Sequence, residues 1–216
     1  MGHRRRLTAA GRRAGRTPLA ALARLAPALL AAAWLAALFA PLARPDRALA
    51  NRDVALFHLP LRAAFARLAA WGPPVWNPWL NGGQPLLSNP NYAAFYPPTW
   101  LGLVLPPAYA LDWLVVGHAA LAFAGAYRLV RRLGGERPAA ALGALAWSGG
   151  GAALSLVSAL TVFCGMAWLP WMILWADAAL HPDPAAATGG RARRLRSALA
   201  AGLALGLQAL NGEPAT

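Results

Sequence analysis

The sequence predicts an all-α integral membrane protein: a multi-span helical bundle with one long, structured extracytoplasmic loop after the first span. Three observations carry that prediction. Hydrophobic residues make up 58% of the 216 positions and charged residues only 12%, against roughly 45–50% and about 25% in ordinary globular domains. The apolar residues fall in runs of spanning length, for which about 20 residues are needed. The 20 basic residues are all arginines, and they cluster beside those runs as the positive-inside rule describes. The net charge of +13 does not indicate a nucleic-acid partner, because the arginines do not form one continuous basic face. The single cysteine, Cys164, excludes a disulfide framework and any CxxC motif. Within an apolar run it reads as a buried, inert thiol.

The elements follow in order. Residues 1–24 form a basic cytoplasmic N-terminus with Arg4, Arg5, Arg6, Arg12, Arg13, Arg16 and Arg24. The charge-free run 25–43 is the first span. Residues 44–107 form the extracytoplasmic loop. The second span covers 108–127, and 128–138 is a cytoplasmic loop with Arg128, Arg131, Arg132 and Arg137. The run 139–176 is too long for one helix and reads as a hairpin of two spans, with its turn within Ser155–Gly165. Residues 177–196 return to the cytoplasm with four more arginines. The fifth span is 197–210, and 211–216 lie outside. On this alternation cytoplasmic segments hold 15 arginines and outer segments five. Ala48-Leu49-Ala50 resembles a signal-peptidase site, but the 19-residue run before it is long for a secretory leader, and Arg44, Asp46 and Arg47 intervene.

The loop carries most of the information. From Asp53 to Trp71 its apolar residues recur mostly every three or four positions, as in an amphipathic helix lying at the membrane surface. Asn51 is placed to cap that helix, and Asp53 suits its positive end. From Trp71 to Tyr109 come nine of the 19 prolines, four tryptophans and three tyrosines. Repeated X-Pro steps predict a rigid, non-helical segment. Trp76, Asn77, Gln84, Asn89, Tyr92 and Tyr96 supply the aromatic faces and amides with which proteins grip sugars. An interfacial aromatic belt that only packs the loop down is the alternative.

Asp53, Gly72–Pro78 (GPPVWNP), Gly83-Gln84-Pro85 and Tyr96-Pro97-Pro98 together resemble the first outer loop of the bacterial YfhO-type membrane proteins. The segments GHAALAFAGAYRLVRRLGGERPAAALGALAW and LQALNGEPAT are similar to later parts of that family. In the second, Glu213 stands where the family often has His. The resemblance implies a GT-C-like glycosyltransferase in the bacterial cytoplasmic membrane. Such an enzyme transfers a sugar from a polyprenyl-phosphate carrier to a glycan or lipid acceptor on the outer face. Family members are several times longer, so the chain is expected to be an N-terminal part of a larger protein.

The resemblance implies a catalytic acid in this loop, and Asp53 is the expected base. Dipole complementation or a weak pair with Arg52 is its structural alternative. A carboxylate can take the acceptor proton or orient a divalent metal that helps the phosphate leave. Arg52 and Arg62 are candidates for the carrier phosphate, with snorkelling to lipid headgroups as the alternative. His58 is a further phosphate contact or a surface histidine. Glu213 is a second acid or a solvated loop residue, Asp112 a span boundary, and His118 an intramembrane polar group. No metal-ligand spacing, P-loop, nucleophile elbow or dinucleotide fingerprint occurs. A transporter of lipid-linked glycan, or a non-catalytic membrane subunit, are the competing functions.

Overall fold

The computed structural model describes residues 18–44, 46–49, 51–182 and 190–212. The architecture is all-α apart from one two-residue antiparallel ladder. Seven α-helices are described: α1 Pro18–Phe39, α2 Leu59–Ala69, α3 Pro107–Arg132, α4 Arg137–Gly149, α5 Gly151–Leu156, α6 Leu160–Leu180 and α7 Gly190–Leu210. Four stretches are helical, long and apolar enough to cross a membrane: Leu25–Leu42, Pro107–Arg132, Arg137–Leu156 and Leu160–Leu180.

Helix α3 is the centre of the bundle. Its buried face carries Leu111, Leu114, Val115, Ala119, Ala122 and Ala126, spaced as one side of a helix requires. Leu35 and Phe39 of α1 and Leu160, Phe163 and Cys164 of α6 close over it. Between helices in lipid, association rests on close packing, which small residues permit. At Gly125 a Cβ would lie 2.6 Å from Trp171 Nε1. Glycine there lets the indole reach the α3 backbone, where its N–H donates to Leu121 O at 3.0 Å.

The hairpin differs from expectation in where it turns. The chain breaks between α4 and α5 at Gly150, which is extended. It turns again at 157–159, and α6 has begun by Leu160. Thr161–Gly165 are therefore helical, not a turn. Leu160, Phe163, Cys164 and Ala167 recur on one buried face, so packing against α3 extends the helix through the predicted turn. The second spanning helix also runs further than 108–127, to Arg132. The expected fifth span is a 21-residue helix packed on α6. Its first two turns hold Arg191, Arg193, Arg194 and Arg196, which leaves it short of the apolar length of the other four.

The two ends of the bundle are chemically distinct. One end gathers the arginines of α3 and α7. There Arg132 Nε pairs with Asp177 Oδ2 at 2.5 Å, and Arg194 Nε donates to Ala179 O at 3.1 Å. The other end carries the long loop, residues 44–106. Helix α7 finishes beneath that loop. Asn211 Nδ2 donates to Thr161 O at 2.6 Å. Gly212 has φ +91°, and a Cβ there would lie 2.3 Å from Pro90 O.

Candidate functional site

The loop folds on a small core of its own. Leu61 and Phe65, one turn apart on α2, pack with Leu86, Tyr92 and Ala94. Opposite α2, β1 (Trp76–Asn77) pairs antiparallel with β2 (Gln84–Pro85), Trp76 facing Pro85 and Asn77 facing Gln84. The intervening turn has positive φ at Asn81, Gly82 and Gly83. At Gly83 a Cβ would stand 2.9 Å from the Trp76 ring, so the GxP glycine lets the indole close over the turn. The Trp71–Tyr109 segment is not wholly non-helical. Two 3-10 turns, Pro90–Tyr92 and Pro97–Leu103, begin at prolines, which the first position of a helix accepts because its N–H is unbonded there.

Much of the residue set expected to grip a sugar is spent on holding this loop. Tyr92 is fully buried, and its OH accepts from Asn77 Nδ2 at 2.7 Å and Gln84 Nε2 at 3.1 Å. Asn77 Oδ1 accepts the Trp79 N–H at 2.9 Å. Asn89 caps the first 3-10 turn by accepting Asn91 N–H at 3.0 Å. Tyr96 is buried at the seam between loop and bundle. Its hydroxyl bonds His118 Nε2 and accepts Trp168 Nε1–H at 2.8 Å. His118 Nδ1 lies 2.6 Å from Leu114 O, which can only accept. That fixes the proton on Nδ1, leaves Nε2 as acceptor, and makes Tyr96 the donor to it. Of the six residues only Trp76 presents a large exposed ring.

Asp112, expected at a span boundary, lies in the second turn of the second spanning helix. It is buried in α3, where Oδ1 accepts the Leu49 N–H at 2.9 Å and ties the start of the loop to the bundle.

The Asp53 region has a different character. The expected amphipathic helix starts as a π-turn, Val54–His58, and becomes α-helical only at Leu59. Arg52, just before it, is held at φ +35°, an unfavourable value for a residue with a Cβ. Asn51 caps no helix through its side chain; Asp53 occupies the cap position, also without a side-chain cap bond. Val54, fully buried, anchors the turn in the bundle core, while Arg52 and Asp53 face solvent. Among the described residues the Asp53 carboxylate has no hydrogen bond and no ion pair, so it is not paired with Arg52.

The π-turn matters for spacing. Its bonds join residues five apart, as in Leu59 N–H to Val54 O. Asp53 and His58 thereby become neighbours across one turn, which an α-helical reading places on different faces. His58 is buried rather than on the surface, and its Nδ1 has no partner. Burial, reinforced by the Arg62 charge and opposed by Asp53, brings its pKa down to about 4. At neutral pH it is a neutral imidazole.

Arg62 lies one turn further on and is also buried, with Nε unpartnered. Its Nη1 donates to Tyr92 O and, at 3.1 Å, to Thr99 Oγ1. Burial lowers its pKa to about 10, which still leaves it charged at neutral pH. Burial likewise pushes the Tyr96 phenol up, so it remains a hydrogen-bond donor. The site is thus an exposed carboxylate, a buried neutral imidazole and a buried guanidinium along one helical stretch. That set can accept a proton at its surface and stabilise negative charge behind it.

No group of three His, Cys, Asp or Glu side chains among the described residues is placed to hold a metal ion. Glu213 lies outside the described residues, immediately after Gly212. Thr99, Trp168 and Asn211 escaped the sequence reading. They bond partners 37, 72 and 50 positions away, and no local pattern marks them. No protein-family model, curated protein or solved structure matches the chain.

Proposed function

We propose that this chain forms the donor-side loop and membrane bundle of a GT-C-like glycosyltransferase, with Asp53 as its general base. The observation that carries the reading is the Asp53 carboxylate, exposed and unengaged on an anchored π-turn beside His58. The carboxylate makes no cap bond and no ion pair among the described residues, so neither occupies it. The arginines gathered at the opposite end support an orientation with the loop on the outer face.

In this reading an acceptor hydroxyl attacks the anomeric carbon of a polyprenyl-phosphate-linked sugar. The new C–O bond forms as the bond from the anomeric carbon to the phosphate oxygen breaks. The hydroxyl proton passes to Asp53, and the carrier leaves as polyprenyl phosphate. Arg62 and Arg52 supply positive charge toward the departing phosphate.

The test is sugar transfer by the full-length gene product in its native membrane. Removing a general base costs about 10²–10⁴-fold, so Asp53→Asn is expected to lose at least 100-fold in turnover while remaining in the membrane. Wild-type turnover by that variant removes Asp53 from the role. Movement of intact lipid-linked sugar across vesicles, with no glycosidic bond formed, replaces the enzyme reading with a transporter.

A further inference from the structure

Along α2, from Pro60 to Arg67, lies a cavity of about 300 Å³ that the proposed reaction does not use. We infer that it binds one molecule of an anionic phospholipid, acyl chain inward and phosphate on Arg67.

The walls are apolar: Pro60, Leu61, Ala63 and Ala64 of α2 on one side and Leu80 on the other. Asn77 also lines the cavity, but its oxygen and amide are already bonded to Trp79 N–H and Tyr92 OH. Arg67 and Trp79 complete the lining at the rim; inside that rim no side chain offers a sugar hydroxyl a free partner, which is costly once the hydroxyl loses water. A hydrocarbon chain needs none, and a pocket of this size is in the range that takes small apolar ligands.

The rim supplies charge. The Arg67 guanidinium lies 4.8 Å from the Trp79 ring centroid and 5.9 Å from that of Trp71. The two indoles hold the planar cation without neutralising it. Arg67 makes no hydrogen bond or ion pair among the described residues. The described acids of the loop are engaged or distant. Asp46 pairs with Arg44 at 3.2 Å, and Asp53 is at the other end of the helix. Five unspent N–H donors in a fixed fork match a phosphate. Trp79 lines the cavity, Trp71 shares the Arg67 guanidinium with it, and both indoles are at least half exposed; tryptophan favours the lipid headgroup level. An apolar slot, an unneutralised guanidinium and interfacial indoles together select an amphiphile with a negative head.

The experiment measures lipid binding by native mass spectrometry, and thermal stabilisation, on the full-length protein in neutral detergent. The probes are phosphatidylglycerol, phosphatidylcholine and glycerol 3-phosphate. Wild type is expected to bind phosphatidylglycerol at least tenfold more tightly than phosphatidylcholine, and glycerol 3-phosphate weakly, since it lacks the apolar body. Arg67→Gln, at an exposed position, is expected to lose the preference for the anionic lipid. Ala63→Phe, which fills the slot and keeps the charge, is expected to weaken phosphatidylglycerol at least tenfold. The inference is overturned if Arg67→Gln and wild type respond equally to phosphatidylglycerol, or if both lipids bind alike. Glycerol 3-phosphate binding as tightly as the lipid, or Ala63→Phe retaining full affinity, also overturns it, because the slot then takes no chain.

Discussion

Tyr96 shows how one hydroxyl couples three parts of the chain. It donates to His118 in α3 and accepts from Trp168 in α6, while its backbone belongs to the loop. Tyr96→Phe leaves an imidazole nitrogen and an indole N–H without partners in a buried seam, which costs about 1–3 kcal/mol. A lowered unfolding temperature in detergent checks this, and Trp168→Phe added to it is expected to cost less than its own separate effect, because the shared bond is already gone. His58 makes a second prediction at this scale. Above about pH 6.5 its imidazole is neutral in folded and unfolded chains alike and adds no pH dependence. Between there and about 4, its folded value, the unfolded chain binds a proton that the folded chain does not. Stability therefore falls as pH falls through that window. Unfolding temperatures measured from pH 7 to 4 should drop more steeply for wild type than for His58→Gln; parallel curves would contradict the assignment.

The loop's elements depend on conformations that few residues tolerate. The turn between β1 and β2 passes through three successive positive-φ residues, ending at Gly83 under the Trp76 ring. Gly83→Ala adds a Cβ at a φ of +109° into 2.9 Å of indole, so strain and clash act together. It is expected to destabilise the loop by more than about 1 kcal/mol, read as faster proteolysis between Trp76 and Gln84, with the bundle helicity unchanged. Equal cleavage rates would mean that the indole moves aside freely. The π-turn is the other decisive element. Val54 pins it from below, and its wider turn brings Asp53 toward His58, a proximity that 3.6-residue periodicity does not suggest.

At the scale of the molecule, the bundle is a two-ended body with arginines at one end and the folded loop at the other. Cys164, the only cysteine, is buried, so single exposed cysteines can report orientation against a silent background. In intact cells Ser88→Cys in the loop is expected to react with a membrane-impermeant maleimide, and Glu136→Cys between α3 and α4 only after permeabilisation. The reverse pattern would put the loop and Asp53 in the cytoplasm and remove an outer-face transferase from consideration. Helix α7 links the ends, since its arginine-bearing start meets α6 and its Asn211–Gly212 terminus supports the loop beneath Pro90.

Four of the five expected spans and the punctuation of the loop by prolines and glycines were legible in the linear chain. Each reflects a local constraint: backbone polar groups in lipid must be bonded within the helix, and Pro and Gly restrict or free φ at their own positions. What only the tertiary structure decided is which polar atoms are used up and which remain. Asn77, Tyr92 and Tyr96 read as binding residues, yet their hydrogen-bonding atoms point inward. Asp53 and Arg67 stay available because no described acid or base reaches them. Hydrogen-bond partners 15 to 72 positions apart are chosen by how α2, α3 and α6 pack. A side chain's availability is a property of that packing, because one bond to a distant partner removes it from solvent without leaving any trace in neighbouring residues.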